Sequence, residues 1–492
     1  MKKDIFSLSL KENNDIEHSV SCYNKSVLSI CDTHIPTVNR RIKIRPNRKW
    51  YSQLLRDERT KRRRLERKKN KSGSQKDKDI YVSQCEYYNY LCNEAKTQFL
   101  SQSIIDTSAD KRKLFAVAKD ILNWRERTLL PEDTLNLTER FAEYFVDKIV
   151  KIQSDISDKQ ESIADLCALR SEIQQFSTSS RLSSFEPTTV DEICKIVKSM
   201  SNATCDLDPI PTDLLKECLS EIAPQLCRIV NLSLQSAHIP KELKISLVKP
   251  LLKKKTLDPD NYKNYRPVSN LSFLSKVIEK IVCTRLETYL ENNSLFPIMQ
   301  SAYRKKHSTE TAILKIVNDI LNNMDKGKMS AIILLDLSSA FDTIHHGLLL
   351  TRLKERFNID GSALKWIESY LTDRKQRVCL PGFPDSAARS LEWGVPQGSI
   401  LGPLLFSLYT APLGDIARKY GLDHHFYADD AQVYNTIENA KSEDDLQNCV
   451  NAYREWMIAN YLKVNDDKTE LLLIGSPHNV RISNTQYLIF CW

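Results

Sequence analysis

Three aspartates stand at the ends of short apolar or β-prone stretches. Asp429 and Asp430 are adjacent within His425–Tyr434, and well upstream Asp336 follows the apolar run Ile332–Leu335. Carboxylates delivered by two buried strands suit paired Mg²⁺ ions, because these hard cations prefer oxygen ligands and can clamp the attacking and leaving oxygens of a phosphoryl transfer. The pattern therefore predicts a two-metal nucleotidyl-transfer site with Asp336, Asp429 and Asp430 as catalytic metal ligands.

The composition is that of an ordinary folded protein of 492 residues, with 41% hydrophobic and 27% charged residues. This length is typical of about three domains. No apolar stretch reaches the ~18 residues of a membrane span, and the first residues lack the apolar core of a signal peptide. The thirteen cysteines form no CxxC pair, which indicates reduced thiols in an intracellular protein. We therefore expect a location in the nucleus, the cytoplasm or both, no secretion and no membrane contact; the oligomeric state stays open.

The net charge of +8 is unevenly distributed. Residues 40–71 hold sixteen Lys or Arg and three Asp or Glu, a local charge of +13, so the rest of the chain carries −5. Such a run suits contacts with phosphates, whose affinity falls steeply with salt. A solvated helix or a nuclear-import signal would explain the same charges. The residues assigned to nucleic-acid contact are Lys61, Arg62, Arg63, Arg64, Arg67, Lys68 and Lys69.

Local patterns predict mostly helices first and a mixture of strands and helices later. Helical spacing runs through 50–174, and a Ser/Thr-rich segment follows. Further on, the predicted elements are a capped helix start at 187–193, a strand at 245–252, and helices at 343–357 and 362–372.

The residues around the start of helix 343–357 have alternative roles. Asp342 is assigned as its N-cap, a position that Asp favours, with a further metal ligand as the alternative. His345 and His346 are assigned to the surface or the packing of that helix, not to a metal.

Five motifs, two of which contain the aspartates, follow one another along the chain. They are Asn264–Leu271 continuing into Ser275–Lys280, Gln300–Arg304 with His307–Thr311, Leu335–Asp342, Gly394–Pro403 and Tyr427–Asp430. Together they resemble the reverse transcriptase of non-LTR retrotransposons, and the similarity is closest to the chicken-repeat-type long interspersed elements. The resemblance implies an α+β right-hand polymerase fold, with fingers and palm, preceded by a mostly helical N-terminal region. It also implies an RNA-directed DNA polymerase that uses an RNA template, a DNA primer, dNTP and two Mg²⁺ ions, with Mn²⁺ as a substitute.

The resemblance places three further residues around the incoming nucleotide. Phe341 matches the family's steric gate, an aromatic ring that excludes a ribose 2′-OH. Gln397 can hydrogen-bond the nucleotide or its template partner. Gly398 allows close approach of the backbone.

The same resemblance assigns cations to the triphosphate and the pyrophosphate. Arg266 and Lys276 fall in the fingers region and are expected to bind the triphosphate, since phosphoryl transfer depends on charge neutralisation. Surface salt bridges are the alternative for both. Lys468 matches a following motif and is a candidate general acid for the departing pyrophosphate, or a group that only orients it.

The resemblance also divides the chain into segments. It implies that an upstream endonuclease and most of the thumb are missing. The predicted segments are 1–49, a remnant or linker; 50–173, basic and mostly helical; 174–185, a flexible linker; 186–325, an N-terminal extension and the fingers; 326–475, the palm; and 476–492, the start of a truncated thumb.

Other functions remain open at this point. An RNA-dependent RNA polymerase shares the palm, but Phe341 and Ala428 differ from its usual pattern. A group II intron maturase is also a reverse transcriptase, although the first two motifs fit the retrotransposon type better. The rival from another class is a catalytically inactive, truncated remnant that acts only as a nucleic-acid-binding protein.

Overall fold

The computed structural model describes residues 15–36, 50–107, 114–115, 117–119, 130–132, 134–163, 165–171, 180–475 and 488–491. The chain divides into two compact units, one of residues 1–36 and 130–492 and one of residues 37–129. The three aspartates lie in the larger unit. The segment boundaries expected from the sequence stay predictions. Among the described helices, none is long and apolar enough to cross a membrane.

Two β-sheets form the framework of the larger unit. Its strands are β1 Ile245–Leu252, β2 Tyr265–Leu271, β3 Met329–Leu335, β4 Arg374–Val378, β5 Arg389–Leu391, β6 Asp423–Tyr427, β7 Asp430–Ile437, β8 Glu470–Gly475 and β9 Leu488–Cys491. The first sheet has the order β2-β1-β4-β5, and the second has the order β6-β7-β3-β8-β9. The strand predicted at 245–252 is confirmed.

Helices surround both sheets and also form the smaller unit. They are α1 Ile16–His34, α2 Gln53–Ser72, α3 Gln75–Thr107, α4 Leu137–Gln160, α5 Leu166–Arg170, α6 Val190–Ser199, α7 Thr212–Glu217, α8 Leu219–Ser236, α9 Phe273–Asn292, α10 Thr309–Asp325, α11 His346–Glu355, α12 Gly361–Leu371, α13 Gly402–Tyr409, α14 Pro412–Lys419 and α15 Ala440–Ala459. The helix start predicted near 190 is confirmed, because the Thr189 side chain caps α6. Sheets and helices together confirm the α+β class.

The second sheet is covered on both faces, and its central strand is therefore apolar almost throughout. Ala331 and Leu335 of β3 face the main hydrophobic core. Ile332 packs on the opposite side with Ile316 of α10 and Tyr434 of β7. Burial on both faces holds the end of β3, where Asp336 follows, in a defined place.

The first sheet is covered by α4. Phe141 and Phe145 of this helix pack with Tyr265 of β2 and Val248 of β1, and the ring centroids of Phe141 and Tyr265 are 4.9 Å apart. The aromatic residues of α4 are thus part of a hydrophobic core. Helix α4 continues to the second sheet region, where Gln160 donates to the carbonyl oxygen of Ile458 at 2.6 Å.

The prediction that Asp342 caps a helix at 343–357 is wrong. Helix α11 runs over His346–Glu355 and its N-cap is His345, whose Nδ1 accepts from the backbone N–H of Leu348 at 3.1 Å. Asp342 instead ends a short 3₁₀ turn, Ala340–Asp342. Burial raises the pKa of Asp342 to about 6, and the charge of Lys148 opposes that rise.

The physical reason for the later helix start is backbone pairing with a distant loop. The N–H of Val395 donates to the carbonyl of Phe341 at 2.9 Å, and the N–H of Gly394 donates to that of Ile344 at 2.8 Å. These bonds hold 341–344 outside a helix. Gly394 and Val395 lie about 50 residues further along the chain, so the sequence around Asp342 could not predict this pairing.

The smaller unit contains a helical hairpin. Ser52 caps α2, and Gly73, with φ of 60°, ends it in the left-handed conformation that permits the turn into α3. Leu55 is buried between the helices. The hydroxyls of Tyr51 and Tyr88 are 2.7 Å apart. The helical prediction for this region is confirmed over 53–72 and 75–107.

Candidate active site

The adjacent aspartates lie at the turn of a β-hairpin. Strands β6 and β7 are antiparallel, and the pair of Tyr427 and Asp430 encloses a two-residue turn of Ala428 and Asp429. Ala428 has φ of 58°, a left-handed conformation that costs a non-glycine residue roughly 1–2 kcal/mol. Two-residue hairpin turns need such a φ to match the twist of the strands. The turn thus carries Asp429 at the tip and Asp430 at the first position of β7.

Strand register brings the third aspartate to the same edge. Leu335, the last residue of β3, pairs with Ala431 of β7. In an antiparallel pair the next residue of one strand lies opposite the previous residue of the other. Asp336 is therefore carried to the position opposite Asp430. The structure brings together the three carboxylates that the sequence assigned to catalysis.

Asp336 is held by two residues of the segment just before β8. Asn465 Nδ2 donates to Asp336 Oδ2 at 2.8 Å, and its backbone N–H donates to the Asp336 carbonyl at 2.9 Å. Lys468 Nζ lies 2.9 Å from the same Oδ2 atom. Asn465 was missed by the sequence reasoning, although it stands three residues before Lys468 in the same motif. Lys468 thus contacts one of the three carboxylates that the sequence assigns to catalysis.

The environment of the hairpin disfavours the charged forms of the Asp429 and Asp430 carboxylates. Burial raises the pKa of Asp429, and the charge of Asp336 adds to the rise. Burial also raises the pKa of Asp430, with further contributions from Asp429 and Asp336. Like charges at short range disfavour ionisation of each other. A bound cation would relieve this repulsion.

The donor set fits hard divalent cations in charge and in atom type. Its three carboxylates supply the oxygen ligands that Mg²⁺ prefers. Within the described residues, no group of three or more His, Cys, Asp and Glu side chains is clustered closely enough to hold a metal ion as it stands. One Asp336 oxygen is directed to the ammonium group of Lys468.

Several cations surround the carboxylates. The charge of Arg266, on the exposed face of β2, lowers the pKa of Asp429 against the effect of burial. Burial lowers the pKa of Lys253, and the charges of Lys148, Lys468 and Arg266 lower it further. Lys253 and Lys148 were not assigned to the site from the sequence. In the sequence, the feature that could have pointed to Lys253 is the run of three lysines, Lys253–Lys255, directly after the predicted strand at 245–252.

Lys276, by contrast, belongs to α9 and contacts the far end of β2 from Arg266. Its ammonium donates to Asn270 Oδ1 at 2.8 Å. Burial raises the pKa of Asp208, and the charge of Lys276 limits that rise. Among the described residues, no ion pair joins Lys276 to the three aspartates.

The loop with Gln397 and Gly398 is attached to β2 and to the strand-end segment that holds Phe341. The N–H of Ser269 donates to the carbonyl of Gln397 at 2.8 Å. Gly398 has φ of 118°, and a Cβ there would lie 2.5 Å from the Ser269 carbonyl oxygen. Val395, just before this loop, donates to the Phe341 carbonyl. Backbone hydrogen bonds thus link the loop of Gln397 and Gly398 both to β2 and to the segment of Phe341.

Glu279 of α9 is a further residue that the sequence reasoning missed. It is 1% exposed, and its Oε2 accepts from the backbone N–H of Ile400 at 2.7 Å and of Leu401 at 3.2 Å. Burial raises the pKa of Glu279, whereas the charge of Arg374 lowers it. The buried carboxylate thus anchors the chain just after Gly398.

The basic run occupies α2 of the smaller unit. Its contacts within that unit are Arg62 over the ring of Tyr88 at 5.0 Å, Lys69 over that of Tyr81 at 5.0 Å, Lys68 with Asp77 at 2.8 Å and Lys61 with Glu58 at 3.9 Å. The exposed members are Arg63, Arg64 and Arg67, besides Lys61 and Lys68. Several long cations therefore remain available to solvent on α2.

A mainly antiparallel sheet with carboxylates on neighbouring strands, joined to a second sheet that bears cations, defines the palm and fingers of a template-dependent polymerase. Residues 252–490 match the sequence model of the family described as reverse transcriptase (RNA-dependent DNA polymerase). This part of the chain is therefore a reverse transcriptase domain, which confirms the predicted palm and fingers.

Several relatives of the chain are named as polymerases of mobile elements. It is 29% identical over 291 residues to a probable RNA-directed DNA polymerase from transposon BS of Drosophila melanogaster, an alignment that covers 58% of this chain and 32% of that protein. It is 29% identical over 296 residues to the RNA-directed DNA polymerase from mobile element jockey of Drosophila funebris, covering 58% and 31%. The chain spans about a third of the length of these curated relatives. The domain is of the non-LTR retrotransposon kind; the chicken-repeat subtype stays a prediction.

Proposed function

We propose that this protein is an RNA-directed DNA polymerase of a non-LTR retrotransposon. The observation that supports this best is the register that carries Asp336 to the position opposite Asp430, beside Asp429, in a domain matched by the reverse transcriptase family. In the proposed reaction a primer 3′-OH attacks the α-phosphate of a dNTP. A new P–O bond forms, and the bond to pyrophosphate breaks.

Asp336, Asp429 and Asp430 would hold two Mg²⁺ ions, and Mn²⁺ could substitute. When bound, such ions stabilise charge on the attacking and leaving oxygens. The carboxylates contribute by their fixed placement at one sheet edge, where neighbouring strands restrict their motion. Burial and, after it, repulsion from neighbouring carboxylates raise the pKa of Asp429 and Asp430, and a bound cation would offset both effects.

The chain's own residues would orient the nucleotide. Arg266, whose charge acts on Asp429, would bind the triphosphate, and Lys253 would add a second cation there. Phe341 and the loop of Gln397 and Gly398 would bound the sugar and the base pair. Lys468 would leave Asp336 to approach the pyrophosphate, as a general acid or as an orienting charge. Lys276, paired with Asn270, is a weaker candidate for the triphosphate.

The exposed cations of α2 would bind the phosphates of RNA. Long-range attraction between such a helix and a nucleic acid weakens steeply with salt. RNA binding should therefore fall as salt is raised, and it should fall at every salt concentration when Arg63, Arg64 and Arg67 are replaced by Gln. Unchanged binding in the triple variant would remove α2 from the interface.

Primer extension tests the polymerase proposal. Wild-type protein, Asp429→Asn and the control Asp423→Asn, an exposed aspartate at the start of β6, are compared on oligo(dT)-primed poly(rA) with Mg²⁺. Synthesis by the wild type and the control, lost in Asp429→Asn, is the expected result. Wild-type synthesis that persists in Asp429→Asn refutes the site. RNA binding without any synthesis would favour the binding-only alternative.

A further inference from the structure

The catalytic hairpin is braced by a segment that is distant in sequence. Residues 299–302 run beside β6, where the N–H of Phe426 donates to the Met299 carbonyl at 2.8 Å and the N–H of Ser301 donates to the Phe426 carbonyl at 3.0 Å. Gln300 and Phe426 form an isolated parallel bridge. This pairing brings the Gln300 side chain to the hairpin turn.

The Gln300 amide satisfies both backbone polar groups of the residue before Asp429. Its Oε1 accepts from the N–H of Ala428 at 3.1 Å and from that of Ala302 at 3.0 Å. Its Nε2 donates to the Ala428 carbonyl at 3.3 Å. The side chain is 1% exposed, so water cannot replace these bonds in the folded protein.

We propose that Gln300 is a positioning residue: its amide holds Ala428 in the left-handed conformation and thereby sets the place of the Asp429 carboxylate. A primary amide suits this role because it donates and accepts at one end of one side chain. Ala428, with φ of 58°, would otherwise relax toward negative φ. Such a change would rotate the next peptide and displace Asp429.

The test compares two buried glutamines. Gln300→Met keeps the length and volume of the side chain but removes all three hydrogen bonds. Gln160→Met is the matched control, since Gln160 is 7% exposed and donates to the Ile458 carbonyl, away from the hairpin. The inference rests on the proposed polymerase function, so both kcat and KM for dTTP are measured, together with the thermal midpoint.

A displacement of ~1 Å at a reacting group lowers rates by ~100-fold, so Gln300→Met should lose about 10- to 100-fold in kcat. Its KM for dTTP should stay within about threefold of the wild-type value, because the Gln300 side chain bonds to Ala428 and Ala302 and not to Arg266 or Lys253, the cations proposed for the triphosphate. Its thermal midpoint should match that of Gln160→Met. A kcat equal to that of the control, or a loss confined to KM, would overturn the proposal.

A second substitution separates positioning from general damage. Glycine adopts positive φ without steric cost, so Ala428→Gly added to Gln300→Met should recover about tenfold or more of the lost kcat. No recovery would overturn the role of the left-handed conformation. If Gln300→Met does not fold, Gln300→Glu keeps the two accepted bonds and replaces the donated one by a carboxylate oxygen that faces the Ala428 carbonyl. A reduced kcat at unchanged KM in that variant supports the proposal, and wild-type kcat overturns it.

Metal binding distinguishes failure of this inference from failure of the proposed function. Mn²⁺ affinity is measured by electron paramagnetic resonance, without nucleotide. Affinity about fivefold or more weaker in Gln300→Met than in Gln160→Met supports the positioning role even if the wild type synthesises no DNA. Equal affinities in that case would overturn it. Absence of wild-type synthesis by itself counts only against the polymerase proposal.

Discussion

Replacing Gly398 by alanine should impair nucleotide incorporation through a single backbone contact. The new Cβ would lie 2.5 Å from the carbonyl oxygen of Ser269, whereas unstrained carbon–oxygen contacts begin near ~3.3 Å. The loop or β2 must therefore move by about 0.8 Å, and the φ of 118° adds strain of roughly 1–3 kcal/mol. Because the loop carries Gln397, this movement displaces a side chain expected to touch the nucleotide.

The expected loss in kcat/KM for dTTP is on the order of 10- to 100-fold, since a displacement near 1 Å costs about that much. The assay is steady-state incorporation on oligo(dT)-primed poly(rA), with folding checked by thermal denaturation. Gly421→Ala is the matched control, because Gly421 also has positive φ, 68°, but nothing lies within 4 Å of the added Cβ. It should lose about 1 kcal/mol of stability and no activity.

A folded Gly398→Ala protein that keeps kcat/KM within about threefold of the control would refute this reasoning. Such a result would mean that the loop accommodates the Cβ without moving Gln397. A loss of similar size in both variants would attribute the effect to positive φ, not to the contact with Ser269.

Three further changes test other parts of the site. Glu279→Met should lower the free energy of unfolding in urea by about 1–3 kcal/mol, because two buried N–H groups lose their acceptor; an unchanged urea midpoint would contradict the anchoring role. Burial lowers the pKa of His424 from 6.5 to about 4. Between these pH values the His424 ring is protonated in the unfolded chain and neutral in the folded protein, so the free energy of unfolding should fall by up to ~3 kcal/mol as pH drops from 6.5 to 4. The variant His424→Gln should lose this contribution to the pH dependence of stability. Lys468→Met should lower the Mn²⁺ concentration for half-saturation by about two- to fivefold. The reason is that the exposed ion pair between Lys468 and Asp336, worth at most ~1 kcal/mol, no longer competes with the metal. Weaker Mn²⁺ binding in the variant would exclude that competition.

Sequence patterns succeeded where the determining interactions are local. The apolar run at 245–252 forms β1 with the predicted bounds, and Thr189 caps α6 through its own near neighbours. Asp342 failed as a cap because Gly394 and Val395 pair with the backbone of 341–344. A partner about 50 residues away leaves no trace in the local pattern that helix rules use.

The residues of the candidate site also divide into those with a local sequence pattern and those defined by distant contacts. Asp336, Asp429 and Asp430 were found because apolar strands bounded by carboxylates are visible in the sequence. Glu279 and Gln300 were given no role, although Gln300 begins the motif Gln300–Arg304, because the local sequence does not show which backbone groups a buried polar side chain will meet. Their importance comes from backbone groups that each satisfies more than 100 positions away.

The amino-acid sequence by itself determined which functional groups this protein has. They are three carboxylates at strand ends, the aromatic residue Phe341 five positions after Asp336, and Gly398 in a loop. These properties depend on residue type and short-range order. Only the tertiary structure decided which groups meet. The β3–β7 register carries Asp336 opposite Asp430, and β8 follows Asn465 and Lys468, which reach Asp336. Strand register and long-range side-chain contacts arise from the burial of whole sheet faces, which no short window of sequence contains.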